Sequence, residues 1–257
     1  MSVTLSVVRE YIRLYAKITL NQKVSFLWYL LLPLILFFVY HYNWIMTKPE
    51  ASFFQYQASM FLAYITFVMS IEVTTSLIRM REDGFLKMFA FVSGTKYPMI
   101  IGKVFTQLSF LILSILIFSL VTSLCSLHNP TDIILFMISS VVAGVCGAIP
   151  VMFFFLILMI FPMKQESLVT VLNMLLLVFL LVTANNLSQS LSWGILLLYI
   201  NPLELVRALN LLIAEFITGK EYMNFGSAHI VFSLILYTAI GLLGMRYTRI
   251  VSSTNRT

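Results

Sequence analysis

The 257-residue chain is 60% hydrophobic and only 10% charged, against about 25% charged residues in an average soluble domain; a water-soluble fold is excluded. Its formal net charge of +6 comes from Lys and Arg scattered between apolar runs. They do not build the dense basic face that phosphate recognition requires, so no nucleic-acid partner is expected. Cys125 and Cys146 both lie in apolar stretches, where a thiol acts as a small hydrophobe and no disulfide framework follows. No Gly/Ser linker or polar block divides the chain, and residues 1–257 read as a single transmembrane domain.

In chain order, residues 2–24 come first. Arg9, Arg13 and Lys17 recur every four residues on one helical face, with Leu5, Val8, Ile12 and Tyr15 on another, the pattern of an interfacial amphipathic helix. The first apolar run begins near Phe26 with no small-residue cleavage pattern behind it, so the first span is expected to be retained. Spans are predicted at Phe26–Trp44, Tyr56–Ile78, Met99–Leu127, Ile133–Phe161, Leu168–Ala184 and Ala228–Met245. Each approaches or exceeds the ~17 apolar residues needed to cross. Pro49, Pro98, Pro130, Pro162 and Pro202 fall at boundaries, whereas Pro33 and Pro150 lie inside spans and should kink them.

Between the last two spans the pattern breaks. Leu191–Ile200 is too short to cross and is followed by Asn201-Pro202; beyond it Val206, Leu209, Ile213 and Phe216 share one face and Glu204, Arg207 and Glu215 another. Residues 185–220 are therefore expected to form a re-entrant pair of outer helices. A seventh span broken at Pro202 is the alternative, but it would place the arginine-rich tail outside. The resulting fold class is an all-α integral membrane protein: six transmembrane helices, an N-terminal interfacial helix, and short re-entrant outer helices before the last span.

Six crossings put both ends on one side, and the distribution of Lys and Arg selects that side. Arg9, Arg13, Lys17, Lys23, Arg79, Arg81, Lys87, Lys96, Lys103, Lys164, Arg246, Arg249 and Arg256 fall on one side, against Lys48, Arg207 and Lys220 on the other. The expectation is a multi-pass protein of a bacterial cytoplasmic membrane with both termini in the cytoplasm.

Residues that could carry catalysis are sparse. His41, His128 and His229 stand far apart, and none forms a His-Glu-x-x-His pattern. No nucleophile elbow appears, and the nearest approach to a phosphate-binding loop, Gly94 to Lys103, has the wrong spacing. No enzyme, no metal and no cofactor bound by this chain are expected. Glu72 is the main ionisable residue within a span, either reaching toward the interface, pairing with a nearby base, or gating a pathway. Ala143, Gly144, Gly147 and Ala148, with Gly241 and Gly244, offer small-residue faces for close helix packing, within the subunit or between subunits.

The most informative inward segment is SLIRMREDGFLKMFAFVSGTKYPMIIGK, Ser76 to Lys103. A short charged helix bounded by a membrane exit and by Gly94 and Pro98 makes a compact knob suited to docking; an ordinary positive-inside loop is the other reading of its composition. Arg79, Arg81, Glu82, Gly84 and Leu86, followed by Gly102-Lys103 at the start of the third span, resemble the pattern of the membrane subunits of type-2 ABC exporters. The layout resembles theirs over the whole chain, although Phe85 stands where many relatives have a small polar residue and Val92-Ser93-Gly94 replaces a Thr-Pro-like turn.

The resemblance implies two such subunits, identical or homologous, each resting on a separate ABC ATPase that carries ATP and magnesium. Residues 79–98 would be the coupling loop, with Arg79, Arg81, Glu82, Asp83, Gly84, Phe85, Leu86, Lys87 and Met88 at the contact and Lys164, Gln165 and Glu166 as a second, smaller contact. Phe85, Leu86 and Met88 would fill the ATPase groove while the charges set its register. Asn201 and Pro202 would belong to an outer gate. The many Phe and Met suit a hydrophobic or amphipathic cargo such as a peptide, toxin or lipophilic drug. Lipid-linked polysaccharide is the alternative cargo, and an ATPase-independent channel or secondary carrier the alternative class.

Overall fold

A computed structural model describes residues 2–21, 23–185, 194–220, 222 and 226–248, which are predominantly helical with no strand among them. In order the helices are α1 (Ser2–Asn21), α2 (Lys23–Tyr40), α3 (Trp44–Thr47), α4 (Ala51–Glu82), α5 (Phe85–Ser93), α6 (Tyr97–Ser126), α7 (Pro130–Leu156, extended by a 3₁₀ turn, Ile157–Ile160), α8 (Gln165–Ala184), α9 (Ile195–Ile200), α10 (Pro202–Thr218) and α11 (Ser227–Tyr247). Residues 186–193, which contain the predicted start of the first outer helix, and Arg249 and Arg256 lie outside the described residues.

Five of these helices, α4, α6, α7 with its 3₁₀ turn, α8 and α11, are long and apolar enough to cross a membrane. In α2 the described apolar stretch, Leu27–Tyr40, is shorter. Prolines open α6, α7 and α10, where a missing N–H costs nothing. Helices α2 and α7 continue past Pro33 and Pro150.

The core is built around α4, which packs against α2, α6, α7, α8 and α10. Among its buried hydroxyls, Thr66, Ser70 and Thr75 each donate to the carbonyl four residues back, which lets them sit in apolar surroundings. Small residues bring neighbouring helices together within this one chain. A Cβ on Gly241 would strike the Phe153 backbone, and one on Gly244 would lie 2.6 Å from Ile157 Cα, so α11 lies directly on α7. Gly144 faces Ile115 of α6 and Gly147 faces Val206 of α10.

The two ends of the bundle differ in chemistry. At one end α1 folds onto α6, with Tyr11 Cβ 2.7 Å from where a Gly102 Cβ would stand. There Tyr11 donates to the Phe89 carbonyl of α5 (3.2 Å), and Lys96 donates to the carbonyls of Arg246 and Thr248 (2.9 and 2.8 Å). Thus α1, α5 and the C-terminal end of α11 share one end. At the other, Phe37 stands edge-on to Phe54, Phe61 and Phe118. His41 stacks on Trp44 with ring centroids 3.9 Å apart, and Lys48 donates to the Leu127 carbonyl at 3.2 Å.

Candidate functional site

Three features concentrate polar chemistry: the α5 end, a cleft beside it, and a buried network at the opposite end.

Helix α5 is bracketed by Gly84 and Gly94, both in the left-handed region (φ 78° and 73°). A Cβ at either would meet open space, so what requires glycine there is the backbone, which must reverse sharply at each end. Within α5, Leu86 is 1% exposed and belongs to the core, while Phe89 lies edge-on to Tyr11. Phe91 and Val92 are outermost, at 89% and 77% exposure, and Phe85, Met88 and Lys87 are also exposed. Leu86, which the resemblance would place in a partner's groove, belongs instead to this chain's own core, and the most exposed apolar side chains of α5 are Phe91 and Val92. In a nine-residue helix the buried stripe is set by where α1 and α4 lie, which the local pattern does not reveal.

The two predicted inward contacts are brought together. Arg79 Nε donates to Gln165 Oε1 at 2.9 Å, and the Gln165 amide, unpaired at the start of α8, donates to Glu82 Oε1 at 2.7 Å. Lys164 and Glu166 flank this joint, exposed, as does Asp83 on the α4 side. Arg81 is not a surface residue. It is 4% exposed and donates to the carbonyls of Met159 (2.7 Å), Phe161 (3.2 Å) and Met163 (3.1 Å), closing the chain reversal between α7 and α8.

Beside α5 lies an open cavity of about 930 Å³ between α1, α2, α4, α6 and α8. Glu72 lines it and accepts from the Tyr29 hydroxyl at 3.3 Å. Lys103 and Gln107, one turn apart on α6, line it as well, together with Asn173 of α8. The Lys103 ammonium lies 5.8 Å from the centroid of the Tyr15 ring. The sequence marks Glu72 as an intramembrane polar residue but gives no sign that Lys103 shares its cavity, because Lys103 is enclosed only when α1 folds back.

At the opposite end, Asn201 joins α8 to α10: its amide donates to the Phe179 carbonyl (3.2 Å) and Thr183 Oγ1 (3.0 Å), while its Oδ1 caps Leu203 N (3.0 Å). Arg207 donates to the Thr183 carbonyl (2.8 Å), lies 3.8 Å from Glu204 and stacks 4.5 Å over the Tyr56 ring. Gln55 donates to Asn210 at 2.8 Å. Glu204 and Arg207, which the helical pattern assigns to a polar face, are 0% and 3% exposed. Enclosure of α10 by α4, α7 and α8 buries both its faces, and the pairing of Glu204 with Arg207, together with the Thr183 carbonyl and the Tyr56 ring on Arg207, offsets the cost of burying such charges. Pro202 is buried at the first turn of the same helix.

Comparison with protein-family models, curated proteins and solved structures finds no match to this chain.

Proposed function

We propose that the chain is the transmembrane subunit of an ABC-type exporter, moving an amphipathic or hydrophobic cargo with ATP hydrolysed on a separate subunit that docks at α5. The observation that carries this reading is α5 itself: an apolar patch, Phe85, Met88, Phe91 and Val92, uncovered at a bundle end that also carries Asp83, Lys87, Lys164 and Glu166. An apolar patch ringed by charge at a water-facing end marks a protein contact. The helix is joined by one tight turn to α4, the central helix, so a push at α5 acts directly on the bundle core. The Arg79–Gln165–Glu82 joint links the same point to α8.

The reading takes α2 as a sixth crossing. At 18 residues, α2 is roughly 27 Å long, close to the ~30 Å hydrocarbon thickness, and it lies along α4 through Tyr29–Glu72 and Phe37–Phe54. Both described chain ends then lie on the α5 side, where Arg9, Arg13, Lys17, Arg79, Lys87, Lys164 and Arg246 cluster, and the positive-inside bias makes that side cytoplasmic. Helices α9 and α10 form the outer re-entrant pair, with Asn201 and Arg207 holding the outer end closed.

The test is affinity purification of the tagged chain from its native cells in mild detergent, followed by identification of the copurifying chains and measurement of ATP hydrolysis. Wild type should retain a stoichiometric ATPase, and Phe91→Asp with Val92→Asp should insert and fold normally but lose it. A fully folded double variant that keeps its ATPase rules out α5 as the docking helix. A wild-type chain that retains none and carries cargo alone in liposomes favours a self-sufficient carrier.

A further inference from the structure

The α5-side cavity holds opposite charges that do not touch. Lys103 is 4% exposed, and no carboxylate lies within ion-pair distance of its ammonium among the described residues. Glu72 shares the cavity but is held by the Tyr29 hydroxyl instead. Gln107 is 2% exposed; its Nε2 rests on Met69 Sδ at 3.1 Å, and its Oε1 is buried without a partner. The Lys103 ammonium has the Tyr15 ring beside it at 5.8 Å but no anion, and an ammonium on so enclosed a side chain is costly unless a ligand supplies one. The remaining charges at the lip, Arg79 and Asp83, are again one of each sign.

The geometry points to a ligand of matching chemistry: we infer that this cavity binds an amphiphile with a zwitterionic head, its anionic group on Lys103 and its primary ammonium on Glu72. A purely anionic head would meet Glu72, and a purely cationic one would meet Lys103. The apolar tail has a ready wall in Leu14, Ile18, Val68, Leu172 and Leu176, and a volume of about 930 Å³ suits one chain with its head, ligand sites typically running about 300–1,000 Å³. The exposed Asn173 adds a neutral donor and acceptor to the lining. That such a ligand is cargo rests on the exporter reading; that it binds does not, so binding is tested without ATP or any ATPase.

The purified chain, in a neutral maltoside detergent, is titrated with oleoyl lysophosphatidylethanolamine, oleoyl lysophosphatidylglycerol and monooleoylglycerol, with occupancy read by native mass spectrometry. Wild type should bind the ethanolamine probe at least tenfold more tightly than either other. Glu72→Gln should reverse the order of the two phospholipids, because the repulsion of a lone anion is removed, and Lys103→Met should erase the ethanolamine probe's advantage over monooleoylglycerol. Two-chain phosphatidylethanolamine separates the sources: equal binding makes this a membrane-lipid site, and binding of the single-chain probe alone makes it a site for a free amphiphile. Should Lys103→Met fold poorly, Asn173→Cys in a background lacking Cys125 and Cys146 provides the readout, the ethanolamine probe slowing its maleimide labelling. Equal affinity for all three probes in wild type, a rank order that survives both variants, or labelling that no probe slows overturns the inference.

Discussion

Arg81→Met is the substitution whose consequence can be worked most fully from the structure. The guanidinium makes three hydrogen bonds, to Met159, Phe161 and Met163 carbonyls. Phe161 is exposed and Met163 half-buried, so water can replace the donor at both positions; Met159 is fully buried, and its carbonyl is stranded. Stranding one acceptor costs about 1–3 kcal/mol, and losing the other two charge-assisted bonds adds more, while removing a desolvated charge returns part of the total. The net is about 2–3 kcal/mol, or roughly 4–12 °C in melting temperature for a chain of this size. Arg81→Lys should be no better than the methionine variant, since a single ammonium keeps the desolvation cost without the planar fork that reaches three oxygens. The assay is thermal loss of the monodisperse peak in fluorescence-detected size exclusion, with trypsin cleavage after the exposed Lys164 as an independent reporter that should accelerate. A lysine variant as stable as wild type would show that charge alone matters there and would refute the reasoning.

Three further outcomes are expected. Gly241→Ala should destabilise more than Gly84→Ala in the same assay: the first drives a methyl into the Phe153 backbone, an overpacking cost of about 1–3 kcal/mol, while the second meets open space and carries only left-handed strain of roughly 1 kcal/mol. Arg207→Met should cost about 3–5 kcal/mol, because it removes the hydrogen bond to the Thr183 carbonyl, the stacking on Tyr56 and the positive charge beside Glu204, and adding Glu204→Leu should recover part of the loss. His41 stacks on Trp44 with ring centroids 3.9 Å apart and stands edge-on to Phe61, so His41→Ala should lower the melting temperature whereas His41→Phe should largely retain it.

The apolar runs fixed most helix positions in advance because a bilayer permits few other ways to satisfy backbone groups. Asn201-Pro202 was legible for a similar reason: an amide side chain before a proline is a local helix start, and Asn201 Oδ1 does cap Leu203. What stayed hidden depends on neighbours distant in sequence. Glu204 and Arg207 have the spacing of a solvated face, and only the enclosure of α10 buries them. Leu86 and Phe91 cannot be ranked by a nine-residue pattern, and Arg81 looks like an ordinary interfacial base until the α7–α8 reversal supplies carbonyls for it. Lys103 reads as one more inward basic residue, yet α1 turns it into the wall of a cavity facing Glu72.

The central claim, that energy enters this chain through α5 from another protein, is tested most directly by placing a photocrosslinking amino acid at Phe91 in growing cells and identifying the adducts by mass. The account predicts an adduct with an ATP-hydrolysing subunit, formed in high yield at Phe91 and not at the buried Leu86. Adducts confined to lipid at Phe91, in a strain whose cargo export is intact, would contradict it.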